Sequence, residues 1–259
     1  MASNTTSKTV DKVQHNVDGH ILADYTIHRR IGKGAYGIVY KAYDKKNKQY
    51  IAIKKIFDAF CNKTDAQRTY REILFLKSFQ RHPNIITMLD VFKALNNKDL
   101  YVIFEYMEND LNKVIKEKIL KDVHIRFIMF QLCNGLAYIH ACKVMHRDLK
   151  PSNILINKSC SIKIADLGLA RSLNDRNVCL TEYIATRWYR APEILISKGQ
   201  YTHRVDIWSL GCILAEMLQS KPLFPGASTN HQLQLVVNVI RTNPPHADKF
   251  YAGFKSKFH

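Results

Sequence analysis

The amino-acid sequence predicts an α+β protein with two lobes, a small N-terminal lobe rich in β-strands (residues 25–107) and a helical C-terminal lobe (residues 108–259). Short strand-like runs separated by polar turns fill the first lobe. Helical periodicity replaces them further along, at 123–140 and again at 205–218. A chain of 259 residues is long enough for two lobes that share a cleft.

The N-terminal lobe is predicted to follow a polar tail. Residues 1–22 are rich in Ser, Thr, Asn, Lys and Asp and lack apolar periodicity, so we predict a disordered tail. A helix is predicted to open at Thr64, because Thr64 and Gln67 have the spacing of a capping box and Asp65 complements the helix dipole. The strands are predicted at 25–31, 37–43, 50–56, 85–92 and 100–105.

Two helices define the C-terminal lobe. The 123–140 segment carries its apolar residues on one face, which predicts a helix that packs with one side. The 205–218 segment is apolar on nearly every face, which predicts a helix in the middle of the lobe. A further helix is predicted near 232–240, and a strand at 161–165.

The charge balance is the unusual feature of the composition. The chain has 39 Lys and Arg against 22 Asp and Glu, a formal net charge of +17, so nucleic-acid binding has to be considered. The basic residues are spread out and no nucleic-acid motif is present, so we expect attraction to phosphate groups or acidic partners instead. No apolar run approaches a membrane-spanning length. Six scattered cysteines without a Cys-x-x-Cys pair favour reduced thiols, in the cytoplasm or the nucleus.

A glycine-rich segment is the first candidate for chemistry. Residues 32–39 fit G-x-G-x-x-G-x-V, and the residues on both sides favour strands, so the loop is predicted to join two strands. In that arrangement bare backbone N–H groups can lie over the phosphates of a nucleotide. A tight hairpin turn without a ligand is the alternative interpretation.

A lysine at the end of an apolar strand is the second candidate. Lys54 follows Ile51-Ala52-Ile53, and Glu72, in the middle of the predicted helix, is available to pair with it. A paired lysine could hold the α- and β-phosphates of a nucleotide. Two simpler interpretations remain open: Lys54 extends its ammonium group to solvent, and Glu72 forms a surface pair with Arg68 at i,i+4.

The third candidate is the most specific. Residues 146–153 match H-R-D-L-x-x-x-N at every fixed position, Asp-Leu-Gly follows at 166–168, and Ala-Pro-Glu lies at 191–193. This order of motifs predicts phosphoryl transfer, which depends on positioning and charge neutralisation. Asp148 would accept the proton of a substrate hydroxyl, and Lys150 would lie near the transferring phosphate. Asn153 and Asp166 would supply oxygen ligands to Mg²⁺.

Together these motifs resemble those of eukaryotic protein kinases, from about residue 25 to about residue 237. Thr181-Glu182-Tyr183 resembles the dual-phosphorylation triplet of the MAP kinases, and residues 54–68 are similar to the atypical extracellular-signal-regulated kinases of the seven/eight type. The resemblance implies the two-lobed kinase fold, with ATP and Mg²⁺ as cofactors. It also implies transfer of the γ-phosphate to Ser or Thr, followed by Pro, in protein substrates.

The resemblance further implies which residues contact ATP. Phe104 would close the back of the adenine pocket, Glu105 and Met107 would offer backbone groups to adenine, and Asp110 would face the ribose. Ordinary core packing is the alternative for the apolar members of the set. The implied set is Ile31, Gly32, Lys33, Gly34, Ala35, Tyr36, Gly37, Ile38, Val39, Ala52, Lys54, Phe104, Glu105, Met107, Asp110 and Leu155.

Control by phosphorylation is implied at Thr181 and Tyr183, either by an upstream kinase or by self-phosphorylation. Guanidinium groups bind phosphate through bidentate, charge-assisted hydrogen bonds. Three arginines would bind the phosphate on Thr181. Two more would bind the phosphate on Tyr183 and shape the pocket for the proline that follows the acceptor residue. The first three are Arg71, Arg147 and Arg171, and the other two are Arg187 and Arg190. Asp206 would brace the catalytic loop, or act as a plain helix cap.

The sequence departs from the family pattern in two places. Leu167 stands where most members have Phe. Members also continue through further helices, which supply an arginine for Glu193 and an acidic docking patch, so we expect a partial C-terminal lobe. We expect Trp208, Leu214 or Met217 to be incompletely covered and Glu193 to lack an arginine partner. A truncated, catalytically weak interaction protein is the alternative function.

Overall fold

The computed structural model describes residues 17–34, 37–80, 82–173, 186–196 and 202–240. Predictions for Ala35, Tyr36, Thr181 and Tyr183 therefore lie outside the described residues. The chain divides into two compact units, the first made of Met1–Arg81 and Ile85–Glu108, the second of His82–Asn84 and Asn109–His259. The predicted boundary at residue 107 falls one residue before the end of the first unit.

A five-stranded antiparallel sheet forms the centre of the first unit, in the order β1-β2-β3-β5-β4. This sheet, together with the helices of the second unit, confirms the predicted α+β class. Helix α2 (Lys63–Phe79) connects β3 to β4. The strands are β1 (Tyr25–Gly34), β2 (Gly37–Asp44), β3 (Gln49–Ile56), β4 (Met88–Lys93) and β5 (Leu100–Glu105).

Alternation along the strands builds the core of this unit. Ile51 and Ile53 of β3 are fully buried, as are Tyr101 and Ile103 of β5, and both pairs lie two residues apart. Residues at this spacing point to the same face of a sheet, and β-branched and aromatic side chains pack well there. The sequence therefore positions β3, which carries Lys54, against a rigid apolar layer.

The prediction of a disordered tail over residues 1–22 was wrong for its last part. Helix α1 (Gly19–Asp24) begins inside that range, and Val17 and Ile21 are buried against the core of the first unit. Val17 lies just before the extended N-cap Asp18 and Ile21 lies inside α1, and both side chains join one buried apolar cluster although the surrounding composition is polar. Residues 1–16 lie outside the described ranges.

Two further boundaries needed correction in this unit. Asn62, not Thr64, caps α2: the Asn62 side chain accepts a hydrogen bond from the backbone N–H of Asp65 at 2.9 Å. The predicted strand at 85–92 begins later, at Met88. The N–H of Thr87 donates to the carboxylate of Glu105 at 2.7 Å, and the carbonyl of Thr87 accepts from the backbone N–H of Glu105 at 3.1 Å, so Thr87 contacts the end of β5 without belonging to β4.

The second unit is helical with short strands. Helices α4 and α6 match the predicted helices to within one residue at each end, and α7 begins three residues earlier than predicted. The helices are α3 (Leu111–Lys116), α4 (Asp122–Ala141), α5 (Pro192–Ile196), α6 (Arg204–Gln219) and α7 (Thr229–Val239). The strands are β6 (Asn109–Asp110), β7 (Val144–Met145), β8 (Ile154–Ile156), β9 (Ile162–Ile164) and β10 (Arg171–Ser172).

Helix α6 is not covered on every side. Trp208 and Leu214 are half-buried and Met217 is buried, which agrees with the expectation that Trp208, Leu214 or Met217 would be incompletely covered. Ile207 and Leu218 are 51% and 63% exposed. An apolar groove of about 620 Å³ runs beside α6; it is lined by Ile207, Trp208, Leu223, Phe224 and Val239, with Glu193 and Arg204 among the other lining residues.

Two negative findings concern only the described part of the chain. Within it, no Lys or Arg lies within ion-pair distance of Glu193, and the expectation that Glu193 lacks an arginine partner stays a prediction. No helix in those ranges combines the length and the apolar composition needed to span a membrane.

Candidate active site

The glycine-rich segment joins two antiparallel strands, as predicted. Gly32 pairs with Val39, Lys33 with Ile38, and Gly34 with Gly37 in the β1–β2 register. Only Gly37 is required by packing, because a Cβ atom there would overlap the carbonyl oxygen of Lys55 on β3. Gly34 has open space around it. A hairpin turn alone gives no steric reason for glycine at this position, which favours the interpretation of a loop with bare backbone.

Lys54 and Glu72 meet in the first unit. The ammonium Nζ of Lys54 lies 2.6 Å from Oε1 of Glu72, and the Glu72 residue is only 7% exposed. This pair connects β3 to the middle of α2. Lys54 therefore does not merely extend to solvent, and Glu72 is not a surface residue.

The other predicted nucleotide contacts of this unit lie on the same sheet. Ala52 on β3 is paired with Phe104 on β5, and both are 9% exposed. Glu105 ends β5, and Met107 is buried just beyond it. Ile31, Ile38 and Val39 are half-buried on β1 and β2. A contact of these residues with ATP stays a prediction.

The catalytic loop of the second unit holds Asp148 by several contacts. Lys150 Nζ lies 2.7 Å from Oδ2 of Asp148. The side-chain amide of Asn153 donates to the backbone carbonyl of Asp148 at 2.9 Å and to its Oδ2 at 3.1 Å. Asp148 is 8% exposed, so these contacts fix the direction of its carboxylate. Three residues of the H-R-D-L-x-x-x-N motif are thus brought together as predicted.

Asp206 on α6 holds the backbone of this loop in place by hydrogen bonds. Its carboxylate accepts hydrogen bonds from the backbone N–H of His146 (2.9 Å) and of Arg147 (2.8 Å), and it lies 2.8 Å from Nε2 of His140. Asp206 is fully buried, and the α6 N-cap position is His203. The brace interpretation is therefore correct and the plain helix cap is not.

The residues predicted to bind Mg²⁺ suit a hard cation chemically. Asn153 uses its NH₂ group on Asp148, which leaves the carbonyl Oδ1 as the end of its amide that can bind a cation. Asp166 has a left-handed backbone (φ 61°, ψ 70°), and its side chain is a carboxylate. Amide and carboxylate oxygens are the ligands that Mg²⁺ prefers. Asn153 and Asp166 therefore fit the group, and Leu167 beside them is fully buried.

Asp110 and Leu155 occupy paired positions on β6 and β8. Asp110 is the N-cap of α3: its Oδ1 accepts from the backbone N–H of Lys113 at 3.0 Å, and its Oδ2 lies 2.8 Å from Lys113 Nζ. This structural role explains an aspartate here without a nucleotide. The predicted contact of Asp110 with ribose stays a prediction.

Two of the predicted phosphate-binding arginines lie close together. Arg147 Nη1 donates to the carbonyl of Leu169 at 3.2 Å, and Arg171 Nη1 donates to the carbonyl of Ala170 at 2.8 Å. Arg187 instead donates to the carbonyl of Ala227. Arg71 belongs to the first unit. The backbone N–H of Arg190 donates to the carbonyl of Arg187, so these two arginines lie at the two ends of one tight turn.

Sequence reasoning missed a buried acid–phenol pair in the second unit. The Tyr189 hydroxyl donates to Oε2 of Glu216 at 2.6 Å, and Ser209 Oγ donates to the carbonyl of Tyr189 at 2.7 Å. Burial raises the pKa of Glu216, although the hydrogen bond from Tyr189 and the charge of Lys116 oppose the rise. The available signal was the i,i+7 spacing of Ser209 and Glu216 in an otherwise apolar helix.

The sequence was compared with models of known protein families. The family model described as "Protein kinase domain" matches residues 25–254. The chain therefore belongs to the protein kinase family.

The more similar relatives are MAP kinases. The chain is 55% identical to Mitogen-activated protein kinase 15 of Xenopus laevis over 238 residues, which cover 90% of this chain and 40% of the relative. It is 53% identical to Extracellular signal-regulated kinase 2 of Dictyostelium discoideum (94% and 67%) and 51% identical to Extracellular signal-regulated kinase 7 of Drosophila melanogaster (93% and 27%). These relatives confirm the predicted resemblance to MAP kinases. The chain spans less than half the length of the Xenopus and Drosophila proteins.

Proposed function

We propose that the chain transfers the γ-phosphate of ATP to Ser or Thr in protein substrates, preferably before Pro, in the manner of a MAP kinase. One observation carries the proposal: Asp148 is held by Lys150 and Asn153 in a loop that a fully buried aspartate braces. Such pre-organisation is what phosphoryl transfer requires of a protein. Membership of the protein kinase family supports it.

Asp148 is the proposed proton acceptor. The substrate hydroxyl oxygen forms a bond to the γ-phosphorus while the bond from that phosphorus to the bridging oxygen of ADP breaks. The hydroxyl proton passes to the carboxylate of Asp148. Lys150, 2.7 Å from that carboxylate, carries a positive charge toward the transferring phosphate.

The nucleotide is proposed to be held by Lys54 and the glycine-rich segment. Lys54 keeps its position because Glu72 binds it, and it can then contact the α- and β-phosphates. Asn153 and Asp166 would hold Mg²⁺, which supplies neutralisation of phosphate charge when bound.

Phosphorylation of Thr181 and Tyr183 is the proposed means of control. Each phosphate adds about −1.5 to −2 charge. Arg71, Arg147 and Arg171 would bind the phosphate on Thr181, and Arg187 and Arg190 would bind the phosphate on Tyr183. Mass spectrometry of protein made in bacteria tests whether the chain phosphorylates itself. Phosphate on Thr181 and Tyr183 in the wild type but not in Asp148→Asn supports self-phosphorylation, whereas phosphate in neither points to a separate activating kinase.

A peptide assay tests the proposed reaction. The wild type should transfer labelled phosphate to a Ser-Pro peptide, more slowly to the matched Ser-Ala peptide, and to neither once EDTA removes Mg²⁺. Equal rates for the two peptides would contradict the preference for proline. No transfer to either peptide, with ATP still bound, would favour the alternative of a catalytically weak interaction protein.

A further inference from the structure

A group of polar side chains lies on the face of the first unit's sheet that is opposite Lys54. Lys55 follows Lys54 on β3, and successive strand residues point to opposite faces. Lys55 Nζ lies 3.6 Å from Oδ2 of Asp99 and 5.1 Å from the ring centre of Tyr101, its register partner on β5. The Tyr101 hydroxyl accepts a hydrogen bond from the backbone N–H of Asp18 at 3.1 Å. We call Asp18, Lys55, Asp99 and Tyr101 the Lys55 cluster.

The Lys55 cluster joins four separate segments of the chain. Asp18, just before α1, also accepts from the backbone N–H of Leu95 at 2.7 Å in the β4–β5 turn. Asp99, at the end of that turn, accepts from the backbone N–H of Asp58 at 3.0 Å, in the loop between β3 and α2. The N–H of Ala59 donates to the carbonyl of Lys98 at 2.9 Å in parallel.

The loop that Asp99 holds leads directly into α2. Asp58 has a φ of 44°, in the left-handed region that non-glycine residues seldom adopt, so this backbone needs a contact that maintains it. The hydrogen bond to Asp99 is such a contact. Helix α2 begins at Lys63, a few residues further on, and carries Glu72 to within 2.6 Å of Lys54.

We propose that the Lys55 cluster is a positioning device for the Lys54–Glu72 pair: Asp99 fixes the start of the β3–α2 loop, and the loop sets α2 so that Glu72 reaches Lys54. The device acts from the opposite face of β3 and touches no substrate. It deepens the proposed function and rests on it for its effect on catalysis.

The charges of the Lys55 cluster support this inference. Burial opposes the charged form of Lys55, but its hydrogen bond to Tyr101 and the charges of Asp18 and Asp99 raise its pKa. Burial raises the pKa of Tyr101, so its phenol stays protonated at neutral pH. Removing Asp99 would leave a partly buried cation and the N–H of Asp58 without their carboxylate, which is costly enough to move the loop.

A double-mutant cycle separates positioning from general destabilisation. Residues that act through one interaction give non-additive effects, whereas independent residues give additive ones. Asp99→Ala should lower kcat/KM for ATP by about tenfold. In the Glu72→Gln background, where the pair with Lys54 is already weakened, Asp99→Ala should cause little further loss.

Asp44 offers the matched control. It is 6% exposed, against 7% for Asp99, and it accepts backbone hydrogen bonds from Lys46 and Asn47 in the β2–β3 turn. Asp44→Ala should reduce the melting temperature as Asp99→Ala does, but its effect on kcat/KM should be the same with and without Glu72→Gln. Additive effects for Asp99→Ala would overturn the proposal.

Hydrogen exchange on the protein without nucleotide tests the same inference independently of activity. Amides in the first turns of Lys63–Phe79 should exchange about tenfold faster in Asp99→Ala and unchanged in Asp44→Ala. Unchanged exchange in Asp99→Ala would overturn the proposal even in an active enzyme. If the amides exchange faster in Asp99→Ala than in the wild type, but the wild type itself transfers no phosphate, the positioning role is upheld and the proposed function is refuted. If Asp99→Ala does not fold, Asp99→Ser, whose shorter side chain carries no carboxylate, is read by the same criteria.

Discussion

Four buried acids among the described residues each have specific partners, because an unpaired charge away from water is strongly unfavourable. Glu72 has Lys54, Asp148 has Lys150, and Asp206 has two backbone N–H groups and His140. Glu216 differs, because among the described residues its side chain accepts one hydrogen bond, from the neutral hydroxyl of Tyr189, and burial raises its pKa. Its buried carboxylate therefore carries a cost that the other acids avoid.

A pH-dependent loss of stability is expected from Glu216. Its pKa is raised in the folded protein, so the folded state binds more protons than the unfolded state, and stability falls as pH rises from about 4.3 through the folded pKa. Glu216→Gln should raise the melting temperature at pH 7 by about 2–4 °C, which corresponds to a gain of about 1 kcal/mol in the free energy of unfolding. At a pH below both pKa values the two proteins should melt alike. A gain that is equal at both pH values would contradict this assignment.

The hairpin of β1 and β2 shows how one element combines a packing demand with a functional one. Gly37 begins β2 opposite Ile56 of β3, and a Cβ atom at this position would overlap the carbonyl oxygen of Lys55. Gly34, its register partner across the hairpin, has no atom near the position of a Cβ. Packing against β3 therefore requires glycine at position 37 but not at position 34, although both glycines belong to one motif.

Alanine at each position separates the two requirements. Gly37→Ala should destabilise the protein by about 1–3 kcal/mol, because the strands must move apart to admit the Cβ atom. Gly34→Ala should leave the melting temperature unchanged or slightly higher. If Gly34 serves to leave backbone N–H groups bare for phosphates, the same substitution should weaken ATP binding. A drop in melting temperature for Gly34→Ala and none for Gly37→Ala would refute this division.

At the scale of the whole molecule, the sequence predicts what depends on local pattern. A strand-sized apolar run gave β5 at its observed ends, and the periodicity of 123–140 gave α4 to within one residue. The H-R-D-L-x-x-x-N motif drew attention to Asp148, Lys150 and Asn153, whose side chains lie in contact in the structure, while their roles in phosphoryl transfer stay predictions.

The missed features depend on contacts between distant segments. Val17 and Ile21 look like part of a polar tail until β5 and its neighbours provide a surface for them. Asn62 is a different case: it lies two residues before Thr64 and is itself a preferred N-cap residue, so the sequence offered two local caps, and the hydrogen bond from the N–H of Asp65 distinguishes them.

The most direct test of the central claim compares phosphoryl transfer by Asp148→Asn and Asp122→Asn, with ATP binding measured in both. Asp122 is an exposed acid of the same unit that pairs with Arg126, so its amide variant controls for the loss of one charge. Asp148→Asn should lower transfer to a Ser-Pro peptide by about 10²–10⁴-fold. ATP affinity should be unchanged in both variants, and Asp122→Asn should transfer phosphate at the wild-type rate. Near wild-type transfer by Asp148→Asn would contradict the assignment of Asp148 as the proton acceptor.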